Sequence, residues 1–149
     1  MDVSNLPDEN SYRFVVVLNK KINIGKLMNT LGHITAGLAG KVCQDDMQFL
    51  EYRDKDGGCH PGISHFLIIA LVADNSNKIR TARKEIISRG IPFTDFTSTM
   101  TIGSSQQQLG ATESAREEEL EYCRQCFFGK TEVSREFTGK FSLFSSAFR

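Results

Sequence analysis

Residues 14–40, FVVVLNKKINIGKLMNTLGHITAGLAG, read as a buried strand that turns tightly into a helix. Phe14–Leu18 is a short apolar run rich in β-branched valine, the composition of a core strand. Between Lys26 and Ala39, Leu27, Leu31, Ile34 and Leu38 recur at i, i+4, i+7 and i+11 and so share one helical face. Lys26, Thr30 and His33 line a second face, about a quarter-turn round at 3.6 residues per turn. Gly40 and Lys41 suit the helix C-terminus. Ligands of α/β sheets bind beside such strand-to-helix turns, which makes these three side chains candidates for chemistry.

The rest of the chain alternates in the same way. The expected elements are a short strand over 47–53, a loop over 54–65 (DKDGGCHPGISH) and a buried strand over 66–73. A helix over about 76–89 follows, with Ile79, Ala82, Ile86 and Ile87 inward and Arg80, Arg83 and Lys84 outward, ended by Gly90. Next come a strand over Phe93–Thr99, a polar loop over 103–110 (GSSQQQLG), a helix over 112–126 stopped by Gly129, and a strand-like 138–145. Strands alternating with helices imply a three-layer α/β/α sandwich around a small mixed, mostly parallel sheet. The expected division is one α/β domain over 12–149 behind a disordered leader, residues 1–11.

Eighteen basic residues balance eighteen acidic ones, which argues against a general nucleic-acid binder. The charge is unevenly spread. Residues 11–44 carry Arg13, Lys20, Lys21, Lys26 and Lys41 and no carboxylate, whereas 113–121 carry five glutamates. The lysines form either a patch that meets an anion or a solvated face. A polar, acidic N-terminus is unlike a signal peptide, and the longest apolar run, 66–73, has the length of a strand. With four cysteines in no secreted-scaffold spacing, the expectation is a cytoplasmic protein with reduced thiols and no membrane contact.

Short motifs give little. Gly129-Lys130-Thr131 lacks the earlier glycine of a phosphate loop, since Arg124 stands there, and is expected to follow a helix. Gly62-Ile63-Ser64-His65-Phe66 lacks the closing glycine of a nucleophile elbow and precedes a strand. Cys123-x-x-Cys126 falls near the C-terminus of the expected helix, where the dipole disfavours thiolate. A zinc site would need further ligands from Cys43, Cys59, His60 or His65; the alternative is small, partly buried side chains. No metal and no cofactor is assigned.

The strand FVVVLNKK, the turn NIGK and the helix LMNTLGHITAGLAG resemble the first βα unit of the type-two peptidyl-tRNA hydrolases. More closely, NTLGHITAGLAG, GCHPGIS, FLIIALVA, GIPFTDFTSTM and TGKFSL resemble the domain-of-unknown-function 2000 family, placed in the same superfamily. The resemblance implies the hydrolase-like sandwich. It also implies roles: Lys26 holding phosphate or balancing an oxyanion, Asp95 orienting a water, and Thr99 bonding substrate or Asp95. His33 is carried over with them as a donor or fixed polar neighbour; Thr30, Lys20, His60 and His65 are further candidate substrate contacts that the hydrolase pattern does not supply. Each residue also has a structural reading, such as His33 as a hydrogen-bonded histidine or Thr99 as a strand residue.

Three functions are therefore carried forward. The first is hydrolysis of peptidyl-tRNA or a related anionic ester, which requires Lys26, Asp95 and Thr99 to converge on one water-sized site. The second is a non-catalytic small-ligand-binding module using the same cleft, with a closed, mostly apolar pocket bordered by His33 and the 57–65 loop. The third is protein interaction through a stripe on helix 112–126 that includes Leu120 and Phe127. A tRNA, a small anion and a second copy in a homodimer are the candidate partners.

Overall fold

The computed structural model describes residues 3–147. Strand β1, Tyr12–Asn19, leads into helix α1, Ile24–Ala39. The helix starts two residues before Lys26 because Asn23 caps it, its side chain accepting from the Gly25 N–H at 2.9 Å. A single-turn α2, Gln44–Met47, precedes the hairpin of β2, Phe49–Arg53, and β3, Cys59–Ser64. Strand β4, Leu67–Ala73, then feeds α3, Ser76–Ser88, capped by Asn75. Gly90, at φ 64, supplies the left-handed turn that ends it. Strand β5, Phe93–Thr97, runs into a 3-10 turn, Ser98–Thr101, and α4, Ser105–Glu113. A second 3-10 turn, Glu117–Glu119, precedes β6, Tyr122–Lys130. Helix α5, Thr131–Thr138, the two-residue β7, Ser142–Leu143, and α6, Phe144–Ala147, complete the described chain.

Five strands form one mixed sheet in the order β5-β6-β1-β4-β7. Only the β1–β4 pair is parallel; β1–β6, β5–β6 and β4–β7 are antiparallel. The mostly parallel sheet expected from strand–helix alternation is therefore corrected, because β6 is inserted between β1 and β5 and runs against both. Helices cover both faces. Leu27, Ile34 and Leu38 of α1 pack on Val16, Leu18, Cys126 and Phe128. Ile79 and Ile86 of α3 pack on Val15, Val17, Leu71 and Phe127, with Phe137 of α5 alongside. Residues 15–18 are at most 2 % exposed, as befits a strand with a helix above and below.

Several expected elements change. The helix over 112–126 is absent: Glu113 ends α4 and Tyr122 begins the second central strand. Arg80 explains part of this, since its Nη2 donates to the carbonyls of Glu117, Glu118 and Leu120, oxygens that a continuing helix would use internally. Arg80 and Arg83 thus fold inward rather than outward, while Ile87 is exposed rather than inward. GSSQQQLG is helical because Ser104 and Gln107 form a reciprocal capping box. Residues 59–64 are strand rather than loop, and 138–145 contains only the short β7. Gly129-Lys130-Thr131 joins a strand to a helix, not a helix to a loop. Of residues 1–11, those from 3 onward carry hydrogen-bonded turns, and Asn10 and Ser11 accept bonds from Thr131; Met1 and Asp2 lie outside the described residues, as do Phe148 and Arg149.

Candidate functional site

On the α1 face, where α1 crosses β5 and β6, a cavity of about 590 Å³ opens to the surface. That is the size range of small-molecule sites. One wall is the first three turns of α1, where the helical spacing read from the sequence puts Lys26, Thr30 and His33, and Asn29 joins them. The floor is Phe96 of β5 with Cys123 and Arg124 of β6. Ser98, Met100, Thr101, Gln108 and Glu121 close the far side. The rings of His33 and Phe96 lie 6.5 Å apart, inclined at 30°. Cys123 reaches the cavity through a β-bulge: Arg124 opposes Phe96 and Tyr122 opposes Thr97, so Cys123 is the extra residue.

Arg124 is the unusual group here. It is 1 % exposed, and its Nη1 donates to the first-turn carbonyls of Lys26 at 3.0 Å and Leu27 at 2.6 Å. Its guanidinium lies 5.1 Å from the Phe96 ring centre. Among the described residues no carboxylate pairs with it, and its Nε is buried without a hydrogen-bond partner. Burial lowers its pKa, with a smaller opposing effect from Cys123. Burial likewise raises the Cys123 thiol; Arg124 and Lys26 pull it the other way, so both cations act on the same small volume.

Asp95 is elsewhere. Alternation along β5 sends Thr94 and Phe96 to the α1 face, where Thr94 bonds the Ile34 carbonyl, and sends Phe93, Asp95 and Thr97 to the α3 face. There Asp95 accepts from Arg83 Nε at 2.7 Å. Lys26 and Asp95 therefore lie on opposite sides of the sheet. Thr99 is also withdrawn. The Thr112 hydroxyl donates to the Gln108 carbonyl, so it accepts from Thr99, which in turn accepts from Thr97, each oxygen–oxygen distance being 2.7 Å. This relay ties the 3-10 turn to α4, and the convergence of Lys26, Asp95 and Thr99 is not formed.

The remaining sequence candidates divide. Thr30 and His33 line the cavity, with the Thr30 hydroxyl donating to the Lys26 carbonyl. Lys20 is exposed at the end of β1 and is not part of the lining. His60 pairs with Asp54 at 3.1 Å on the exposed hairpin, whose carboxyl is held below its usual range first by the Gly58 N–H and then by His60. His65 bonds the Pro7 carbonyl at 2.8 Å. Neither borders the His33 cavity; the 62–64 segment instead lines a separate apolar groove with Gly32, Ala36 and Phe49. All four cysteines are free, and among the described residues no three His, Cys, Asp or Glu side chains are grouped to share a metal ion. Phe127 is fully buried in β6, which removes the expected interaction stripe with Leu120.

Arg124, Gln108 and Met100 were not sequence candidates. The Ser104–Gln107 capping spacing was a readable sign of α4, which carries Gln108. Nothing local marks Arg124, whose role depends on a bulged register with a distant strand. The family model described as protein of unknown function (DUF2000) matches residues 12–145. The chain belongs to this family. No curated protein matches the DUF2000 chain. Among solved structures, that of the protein of unknown function Atu0240 from Agrobacterium tumefaciens strain C58 is similar, with a TM-score of 0.75 at 13% identity. The match covers 89% of this chain and 97% of that one, and at such identity it is a likeness of fold. Among the described residues no helix is long and apolar enough to cross a membrane.

Proposed function

We propose that this DUF2000 protein binds a small anionic ligand in the cavity between α1, β5 and β6. The observation that carries the proposal is Arg124: a cavity-lining residue whose guanidinium is buried under α1 with no carboxylate partner among the described residues. Burying an uncompensated charge costs several kcal/mol, and an anion seated beside it offsets much of that cost. Lys26 at the rim supplies a second cation, with Thr30 and His33 beside it as ligand contacts. The binding reading is preferred to ester hydrolysis of the peptidyl-tRNA hydrolase type. The resemblance assigns the water-orienting role to Asp95 beside Lys26, and Asp95 is ion-paired to Arg83 across the sheet. The zero net charge also gives no long-range attraction for tRNA.

The test is an amide-shift titration of the ¹⁵N-labelled protein with a panel of small carboxylates, phosphates and sulfate. Shifts are expected to cluster at residues 26–33, 96–101 and 121–124 and to shrink in Lys26→Ala. Absence of saturable shifts there for every anion sinks the proposal. Peptidyl-tRNA release, assayed in parallel, is expected to stay at background and to be unaltered by Asp95→Asn.

A further inference from the structure

Resting on that anion-binding reading, we infer that the ligand is a small monocarboxylate with a flat, apolar body, its carboxylate taken side-on by Nε and Nη2 of Arg124. The guanidinium has two edges that hold a carboxylate by paired bonds. Nη1 is committed to the Lys26 and Leu27 carbonyls, which uses the end-on edge. The side-on edge remains unpaired: Nε is buried without a partner, so a carboxylate reaches it as the side chains covering it move aside, and Nη2 makes no hydrogen bond among the described residues.

Charge selects the carboxylate over a phosphate. Lys26 and Arg124 against Glu121 leave one excess positive charge among the lysine, arginine and carboxylate groups of the lining, which matches a monoanion. Phosphate sites at helix starts use free backbone N–H groups. Here the Asn23 side chain takes the Gly25 N–H, and the first turn turns two carbonyls toward Arg124. The apolar surface selects the body. Phe96, His33, Met100 and Ile22 supply aromatic and apolar lining, and flat groups pack well against such a surface. The cavity exceeds a single ring, and Asn29, Ser98 and Gln108 can hold a polar substituent on it.

Four probes separate the elements of the inference: benzoate, cyclohexanecarboxylate, phenyl phosphate and benzamide, each titrated by amide shifts against the full chain. Benzoate is expected to bind tightest. Arg124→Lys keeps the charge but removes the forked edge, and should weaken benzoate about ten-fold, the size of a charged hydrogen bond lost. Lys26→Ala, at an exposed site, should weaken it a few-fold. Thermal melting checks that Arg124→Lys folds; if it does not, Lys26→Ala and the probe ranking decide. Phenyl phosphate binding more tightly than benzoate overturns the carboxylate class and leaves the anion site standing. Cyclohexanecarboxylate matching benzoate overturns the flat body. Benzamide matching benzoate, or no probe shifting the lining residues, overturns the anion site itself.

Discussion

Arg124 lies under α1 and Arg83 reaches inward from α3, and their neighbours give them different work. Burial is the largest influence on each and opposes the charge. For Arg83 the Asp95 carboxylate outweighs it and raises the pKa, so the pair is a closed structural unit. For Arg124 no carboxylate among the described residues does so, and the proposed anion site rests on that difference. Tyr122 sits beside the first unit. Burial, then its hydrogen bond to Glu117 at 2.9 Å, pushes its phenol up to about 12. A pKa raised above the unfolded value contributes stability that is present below the unfolded pKa, 10.0 here, and lost as pH rises towards 12. Absorbance titration should therefore show one of the three tyrosines ionising near pH 12, and Tyr122→Phe should abolish that step and flatten the alkaline loss of stability. The thiols divide just as sharply. Cys43 and Cys59 are exposed, whereas burial pushes Cys126 to about 12 and raises Cys123. A disulfide reagent should titrate two thiols in the native protein and four after denaturation; rapid reaction of Cys123 would contradict its burial.

Among the elements, α1 and β6 mark the limits of what sequence reveals. α1 advertises itself through an apolar stripe at helical spacing, and its Lys26–Thr30–His33 face does border the cavity. β6 conceals itself. EEELEYCRQCFF has glutamates that favour a helical reading, and its buried Arg124 and Gln125 break the apolar run that would signal a central strand. Its strand state is fixed by pairing with β1 and β5, residues more than ninety and about thirty positions away, so no local window contains the cause. Asp95 fails for a related reason. The Asp-x-x-x-Thr spacing is legible, but which face Asp95 takes depends on its register against β6. α4 is the opposite case, a missed element with a local signal. Ser104→Ala should remove the cap, cost about 1 kcal/mol and lower the melting temperature by roughly 2–4 °C, with faster amide exchange confined to α4.

Across the whole molecule the sheet divides labour between its faces. The α3 face holds a linked set of ion pairs and hydrogen bonds: Arg83 to Asp95, Arg80 to Glu117, and Tyr122 to Glu117. It clamps α3, the 117–120 turn and the edge strand β5 together. The α1 face holds the cavity and Arg124, which has no carboxylate partner among the described residues. Backbone bonds of β5 and β6 connect the two, but no side chain passes through a sheet, so perturbing one face should leave the other's chemistry intact. Asp95→Ala strips Arg83 of its partner at a site where the two side chains are 28% and 15% exposed, so about 2 kcal/mol of stability should be lost in urea unfolding. Carboxylate affinity at the α1 face should change less than two-fold in the same variant, within the additivity expected of sites without shared partners. Arg124→Lys should show the reverse weighting, with binding lost by a larger factor than stability accounts for. If Asp95→Ala instead abolished binding in protein that still melts cooperatively, the two faces would be coupled through the β5–β6 register, and Asp95 would belong to the site after all.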